Sequence, residues 1–202
     1  MKVILPDGSS KALESGSNGN DLAKSIGSGL AKSAVAMYVN GEKKDLLDEL
    51  LDNSKVSIIT IDSEDGLEIM RHTLTAQVLA KAIKNLYPDS KLAIGPTIEN
   101  GFYYDVSTEI PISIDDLPEI ENEMKRIIEK KSEIVKSLHS KKDAKKLFKE
   151  KKESFKIEII DDADQTEDFQ IYKNADEDFI DLCRGPHLPN LSFIGAFKLT
   201  KV

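Results

Sequence analysis

The amino-acid sequence predicts an α+β protein in two parts, a small strand-rich module followed by a separate domain that mixes helices and strands. Up to about residue 62, short apolar runs alternate with tight-turn pairs such as Asn40-Gly41, a pattern typical of short strands. Beyond the acidic break at residues 62–66, apolar residues recur with the period of a helix. We therefore place one domain at residues 1–62 and a second at residues 66–202.

The first part contains the elements of a compact module. We expect a hairpin of residues 2–5 and 10–13 around a Pro-Asp-Gly turn, then a short helix that Asn20 or Asp21 caps and Gly27 ends. Two further strands are predicted at residues 34–39 and 57–61. Strands, a helix and further strands in so short a span are typical of a β-grasp module of the ubiquitin-like type.

The second part begins with a helix over residues 67–86, where apolar side chains share one face. A hairpin over residues 93–105 turns at Asn100-Gly101, and Asp115 or Asp116 begins a long amphipathic helix. The remaining predicted elements are a basic helix over residues 141–152 and strands at residues 155–160, 179–182 and 193–202. The last of these reads as a strand after which a longer protein would continue.

Composition limits the classes of protein to which the chain can belong. The formal net charge is −8 with 32% charged residues, so the average surface repels both nucleic acid and anionic membranes, and any RNA contact must be local. No apolar run is long enough for a membrane span or a secretory signal. The single cysteine excludes an internal disulfide. We expect a soluble protein of the reducing cytoplasm.

The residues with the most chemical potential are concentrated in Ile-Asp-Leu-Cys-Arg-Gly-Pro-His, residues 180–187. A Gly-Pro pair excludes a regular helix, so Cys183 and His187 should project from a turn after a short strand. With Asp181 and Arg184, they could bind a metal, act as acid and base, or hold a small polar ligand. The same pattern also fits a buried core cysteine beside an unrelated histidine.

Five stretches occur in an order and spacing that resemble the N-terminal region of threonyl-tRNA synthetases. They are residues 65–72, 93–105, 155–156, 181–189 and 195–199, and they extend over nearly the whole chain. In that family a β-grasp module, the TGS domain, precedes an editing domain, and the aminoacylation core follows. The resemblance therefore implies a TGS module followed by an α+β editing domain.

The family's editing domain hydrolyses the ester of serine wrongly attached to threonine tRNA, because a synthetic pocket cannot strongly reject a substrate that lacks one methyl group. By the resemblance, Cys183 lies in the editing site with three other catalytic residues. Lys156 could hold the terminal nucleotide or the developing oxyanion, Asp181 could bind the seryl ammonium, and His187 could position or deprotonate the attacking water.

The resemblance also implies residues that bind the substrate. Gly95 would let the terminal adenosine approach the backbone, and Tyr104 would offer it a ring or a hydroxyl. Thr73, Gln77 and Arg184 complete this set. The implied partners are the acceptor end of threonine tRNA and the rest of the synthetase, which is a homodimer at full length. No cofactor is implied for this part of the chain, because ATP and zinc belong to the aminoacylation core.

The chain departs from the family in its first long helix, where the family carries His-x3-His. When the family motif is aligned on the residues that precede it, His72 falls at the position of the first histidine. When it is aligned on the residues that follow it, Thr73 falls at that position and Gln77 at the position of the second histidine. One residue has therefore been inserted. An insertion rotates the preceding residues by about 100°, unless a π-bulge absorbs it. In the second case His72 would still reach the site.

Three functions fit these observations. The first is an editing module, active or impaired. The second is a non-catalytic tRNA-binding appendage that uses the lysines of residues 141–152, which would otherwise form a solvated helix face. The third is a zinc hydrolase with His72, Cys183 and His187 as ligands. We place the zinc reading last and expect no metal, because Gln77 is a poor zinc ligand and the resemblance does not require one.

Overall fold

The computed structural model describes residues 1–175 and 178–202. The chain divides into two compact units, one of residues 1–70 with 185–189 and one of residues 71–184 with 190–202. Both contain helices and antiparallel strands, which confirms the predicted α+β class. Among the described residues, no helix is both long enough and apolar enough to cross a membrane.

The first unit is built on a three-stranded antiparallel sheet in which β3 lies between β4 and β5. A separate hairpin pairs β1 with β2. Its elements are β1 (Lys2–Ile4), β2 (Ser10–Ala12), α1 (Gly19–Ile26), α2 (Ser28–Ser33), β3 (Ala34–Val39), β4 (Glu42–Asp45) and β5 (Val56–Thr60). The core of the unit is formed by Val3, Leu22, Met37, Leu50 and Val56, which are at most 2% exposed.

Local sequence signals account for the ends of these elements. Asn18, rather than the predicted Asn20 or Asp21, caps α1: its side chain accepts from the N–H of Asp21, and the Asp21 carboxylate accepts from the N–H of Asn18. This is a capping box. Both Asn40 (φ 53°) and Gly41 (φ 91°) have positive φ, as a two-residue hairpin between β3 and β4 requires.

A continuous helical segment follows the first sheet and comprises α3 (Glu64–Thr73), a π-helix (Leu74–Leu79) and α4 (Ala80–Leu86). Within the first unit, ionic contacts hold the start of α3. Lys43 Nζ lies 2.8 Å from Asp65 and 2.6 Å from Glu68, and the hydroxyl of Tyr38 donates to Asp65 at 3.0 Å.

The second unit contains a three-stranded antiparallel sheet, β10-β11-β12, and two short ribbons, β6-β9 and β7-β8. Its strands are β6 (Lys91–Leu92), β7 (Thr97–Ile98), β8 (Gly101–Phe102), β9 (Val106–Ser107), β10 (Ile134–His139), β11 (Phe169–Asn174) and β12 (Ile180–Leu182). Its later helices are α5 (Leu117–Glu129), α6 (Lys141–Glu150), α7 (Ser154–Asp162) and two 3-10 turns, Ile114–Asp116 and Leu191–Phe193. The main core packs the π-helix and α4 against α5.

Two predicted strands are wrong. Residues 155–160 alternate apolar and charged side chains, but they lie in α7, where Lys156 and Ile160 are four positions apart and both buried. After the 3-10 turn, residues 194–202 form no strand. The Glu121 carboxylate accepts from the Lys198 ammonium and the Leu199 N–H, so a side chain fixes this segment in place of a neighbouring strand.

Candidate active site

A cavity of about 570 Å³ opens in the second unit, and all the described residues that line it belong to that unit. Its walls are formed by the part of the helical segment around His72, the turn at residues 94–96, α7, the loop of residues 163–168, and β12 with the two residues that follow it. Many residues predicted for the site from sequence line this cavity: His72, Gly95, Tyr104, Lys156, Asp181, Cys183 and Arg184.

A buried ion pair lies in the wall of the cavity. Lys156 Nζ, from the first turn of α7, is 2.7 Å from Oδ1 of Asp181 in the middle of β12, and the two side chains are only 5% and 4% exposed. The same ammonium donates to the hydroxyl of Tyr104 at 3.3 Å. Because an unpaired buried charge is very unfavourable, each of the two charges makes the burial of the other possible.

Burial also changes the acidity of two groups. The pKa of Asp181 is raised by removal of its carboxyl group from water, against the opposing effects of the Lys156 ammonium and the Leu182 N–H. The pKa of Tyr104 is raised by burial and, to a smaller extent, by the charge of Asp181, so its phenol stays protonated. The buried part of the wall at Lys156 therefore combines an ammonium, a carboxyl group and a neutral hydroxyl, while Glu167, Asp168 and Arg184 line the cavity elsewhere.

Gly95 is required by the packing of its neighbours. A Cβ at this position would overlap the ring of Tyr104 and lie 2.6 Å from Cγ2 of Thr75. The absence of a side chain thus lets Tyr104 stand against the π-helix with its hydroxyl near Lys156. The glycine therefore has a structural reason, in addition to the predicted one, which was access for the terminal adenosine.

His72 lies at the cavity because the helical segment contains a π-helix. Of the two alternatives for the inserted residue, the structure has the bulge: the Ala80 N–H donates to the carbonyl of Thr75, five residues earlier. Nε2 of His72 is 2.7 Å from Sγ of Cys183. The imidazole and the thiol are therefore in direct contact, and both line the cavity.

Thr73 and Gln77, also predicted to bind substrate, are fully buried, and neither is among the residues that line the cavity. Within the described part of the chain, Nε2 and Oε1 of Gln77 have no hydrogen-bond partner. The backbone carbonyl of Gln77 does have one, because Nδ2 of Asn174 in β11 donates to it at 3.1 Å. The assignment of these two residues to substrate binding stays a prediction.

His187 is grouped with the first unit by its contacts. It is 2% exposed, and its backbone N–H donates to Oδ1 of Asp45 at the end of β4, at 2.9 Å. The preceding Gly185 has a φ of 63°, which a glycine adopts readily. The catalytic role predicted for His187 stays a prediction.

Comparison with known proteins shows which proteins the chain is similar to. A model of the TGS domain matches residues 1–60, and a model described as the threonyl and alanyl tRNA synthetase second additional domain matches residues 170–202. The threonine–tRNA ligase of Acetivibrio thermocellus is 44% identical over all 202 residues. Those of Francisella tularensis subsp. novicida and Oceanobacillus iheyensis are each 43% identical over the same span. The chain is homologous to the N-terminal region of threonine–tRNA ligases.

The match confirms the resemblance found in the sequence and the β-grasp nature of the first module. The chain spans 31% of the length of these threonine–tRNA ligases. The match to the second additional domain begins within β11 and includes β12, and so contains Asp181, Cys183 and Arg184 but not Lys156.

Two residues of the site region were missed by sequence reasoning. Thr75 packs where a side chain at Gly95 would lie, and its hydroxyl donates to the carbonyl of Arg71 at 2.7 Å. Asn174, which donates to the helix backbone, lies in β11, a strand that was not predicted. The available signal was a polar residue that ends an apolar strand pattern, which is too common to be assigned without the fold.

Proposed function

We propose that this chain is the proofreading part of a threonyl-tRNA synthetase and that it hydrolyses the ester of serine mischarged on threonine tRNA. The observation that carries the proposal is the Lys156–Asp181 pair, which is buried in the wall of a cavity large enough for an aminoacyl-adenosine. A buried pair is costly to maintain for stability alone, since apolar residues of similar size often do as well.

The charges of the pair suit the two ends of the reacting group. Both the ion pair and the hydrogen bond from the Leu182 N–H end on Oδ1 of Asp181, so Oδ2 is the oxygen we assign to the seryl ammonium. We place the terminal adenosine against Gly95 and Tyr104, with Arg184 at the mouth near the phosphate backbone. Lys156 then lies near the ester.

In the proposed reaction, water attacks the ester carbonyl and the bond to the ribose oxygen breaks. The Lys156 ammonium stabilises the oxyanion that forms, and an imidazole accepts the proton of the water and returns it to the ribose oxygen. The products are serine and uncharged tRNA. His187 is the imidazole assigned by the resemblance, with His72 as the second candidate and the Cys183 thiol as the group that orients it.

This function can be tested by measuring seryl-tRNA deacylation by variants of the site residues. His187→Ala should lower the rate about 100-fold or more, as expected for loss of a general base. Asp181→Asn should weaken seryl-tRNA binding while circular dichroism stays unchanged. The control is Lys24→Ala, an exposed position on α1, which should keep the full rate. Full activity in both site variants would exclude these roles.

The second candidate is a non-catalytic tRNA-binding appendage, and the exposure of lysines on α6 favours it. Lys142, Lys146 and Lys149 are exposed, whereas Lys145 is paired with Asp161 at 2.6 Å. If binding without hydrolysis is the function, tRNA should bind wild type with a steep salt dependence, and replacing the three exposed lysines by glutamate should abolish binding. Intact seryl-tRNA after long incubation with wild type would favour this candidate.

The wider setting follows from the same proposal. The partners would be the acceptor end of threonine tRNA and the rest of the synthetase, which we expect to be a homodimer in the cytoplasm. ATP and zinc would serve only the aminoacylation core, and the editing reaction would need no cofactor.

A further inference from the structure

A second cavity lies in the second unit, and all the described residues that line it belong to that unit. We call it the lysine cavity, and its volume is about 250 Å³. Its described lining contains four lysines, three carboxylates and an apolar part that includes Leu92 and Ile180. Of these residues, only Lys156 and Asp181 also line the larger cavity at His72, which we call the editing cavity. The proposed reaction therefore leaves most of this charged lining unused.

The carboxylates of the lysine cavity are each paired with a lysine. The pairs are Lys84 with Glu153, Lys151 with Asp178 and Lys156 with Asp181. Lys81 supplies the fourth ammonium. When all of these groups are ionised, the described lining carries one positive charge in excess. The charge balance therefore favours a ligand that brings a carboxylate into the cavity.

Lys81 is a buried amine whose surroundings disfavour its charged form. The residue is 2% exposed, and burial lowers its pKa to about 8, with a smaller contribution from Lys130 and opposing ones from Glu123 and Asp178. An added negative charge favours the ionised form of a buried amine. The carboxylate of a ligand would therefore stabilise the Lys81 ammonium.

Glu153 has the opposite requirement. The residue is 8% exposed, its Oε1 lies 2.8 Å from Lys84 Nζ, and its Oε2 has no hydrogen-bond partner within the described part of the chain. The Lys84 ammonium is fixed by a second bond, to the carbonyl of Ser90 at 2.8 Å. Because the last torsion of a glutamate is soft, Oε2 can turn toward the cavity while Oε1 keeps Lys84. A buried oxygen without a donor is costly, so a ligand ammonium at Oε2 would be favourable.

A ligand that satisfies both groups carries a carboxylate and a charged donor close together. We infer that the lysine cavity binds a small free α-amino acid, with the carboxylate at Lys81 and the ammonium at Glu153. The volume equals that of about eight water molecules, and serine and threonine have about that many non-hydrogen atoms. An inorganic anion would satisfy Lys81 alone and add negative charge beside Glu153. The inference concerns binding and does not depend on the proposed deacylation, although serine is also the product of that reaction.

Methyl NMR of the wild-type chain locates the ligand. L-Serine should shift the methyl signals of Leu92 and Ile180, which line the lysine cavity and not the editing cavity. Ile94 and Leu182 report the editing cavity in the same spectra. Ethanolamine lacks the carboxylate of serine, and 3-hydroxypropionate lacks its ammonium. Each should bind at least about tenfold more weakly than serine, because one charge-assisted hydrogen bond is lost.

Substitutions assign each end of the ligand. Lys81→Met and Glu153→Gln should each weaken serine binding about tenfold or more. Ethanolamine should bind Lys81→Met as well as it binds wild type, because it lacks the group that Lys81 contacts. By the same reasoning, 3-hydroxypropionate should bind Glu153→Gln as well as wild type. The control is Lys146→Ala, an exposed position on α6, which should bind serine with unchanged affinity. If a variant does not fold, the comparison of the three ligands on wild type still decides.

The outcomes separate this inference from the proposed function. Shifts at Leu92 and Ile180 with the expected order of ligands would establish the site even if the chain proves inactive as a deacylase. No shift of these two signals with serine up to about 10 mM, or shifts confined to Ile94 and Leu182, would overturn the inference. Equal affinity for serine and ethanolamine would also overturn it, since Lys81 would then contribute nothing.

Discussion

Breaking the Lys156–Asp181 pair from either side should change stability with opposite dependence on pH. In Lys156→Met, the Asp181 carboxylate is buried without its ammonium, and its least costly response is to take up a proton. Holding a carboxyl with an ordinary pKa of 3.8 in the neutral form at pH 7 costs about 4 kcal/mol, at about 1.4 kcal/mol per pH unit. At pH 5 the same step costs only about 1.5 kcal/mol.

The sign follows from proton binding. The folded Lys156→Met chain binds a proton at Asp181 that the unfolded chain does not bind above its ordinary pKa, so the variant gains stability as pH falls from 7 to 5. In Asp181→Leu, the buried Lys156 must instead release a proton, at a cost of about 5 kcal/mol at pH 7 and about 2 kcal/mol at pH 9. That variant therefore gains stability as pH rises.

Urea unfolding at pH 5, 7 and 9, with each variant referred to wild type at the same pH, measures these slopes. The double variant Lys156→Met with Asp181→Leu is the control: it should show no slope and lie within about 2 kcal/mol of wild type, since an apolar pair often replaces a buried ion pair without loss. Slopes of the same sign in the two single variants, or costs below about 1 kcal/mol at pH 7, would refute the buried charged pair.

Three further predictions concern Gln77, Lys81 and metals. The Gln77 side-chain amide is fully buried and has no hydrogen-bond partner within the described residues. Gln77→His puts a proton-exchanging group in its place and should leave seryl-tRNA deacylation unchanged or raise it. A drop of more than about tenfold would show that the amide itself is needed. Burial, together with the charge of Lys130, lowers the pKa of Lys81 from 10.5 to about 8. Between these two pH values the folded chain binds fewer protons than the unfolded chain, so the stability of the wild type should rise with pH across that window. Lys81→Met should remove this rise and stabilise the chain at pH 7 by about 2–3 kcal/mol, as measured by urea unfolding, and an unchanged rise would assign it to other groups. Dialysis against a chelator should leave deacylation unchanged, because no proposed step uses a metal, and a loss restored by zinc would revive the zinc hydrolase.

The helical segment shows what one sequence can predict and where it stops. Apolar periodicity predicted a helix over residues 67–86. Aligning the family motif on the residues before it and on the residues after it located one extra residue between His72 and Gln77. The sequence was compatible with two outcomes for that residue, a rotation of the preceding helix or a π-bulge. The structure has the π-helix, in which the Ala80 N–H donates to the carbonyl of Thr75, and no local sequence pattern distinguishes this outcome from a rotated helix.

The short motifs were more informative than the periodicity of the second half. The motif at residues 180–187 correctly predicted a short strand followed by irregular structure, because a Gly-Pro pair ends regular structure there, and this strand forms part of the cavity wall. Lys156 lines the cavity with other predicted site residues, but from a helix, whereas alternation in residues 155–160 suggested a strand. The helix forms because burying Lys156 opposite Asp181 and Ile160 in the core uses one helical face.

The most direct test of the account is single-turnover deacylation by the wild-type chain, with threonine tRNA charged with serine in one reaction and with threonine in the other. We expect serine to be released at least about 100-fold faster than in buffer while the threonyl ester stays intact. Equal release of both amino acids, or no release of either above the buffer rate, would contradict it.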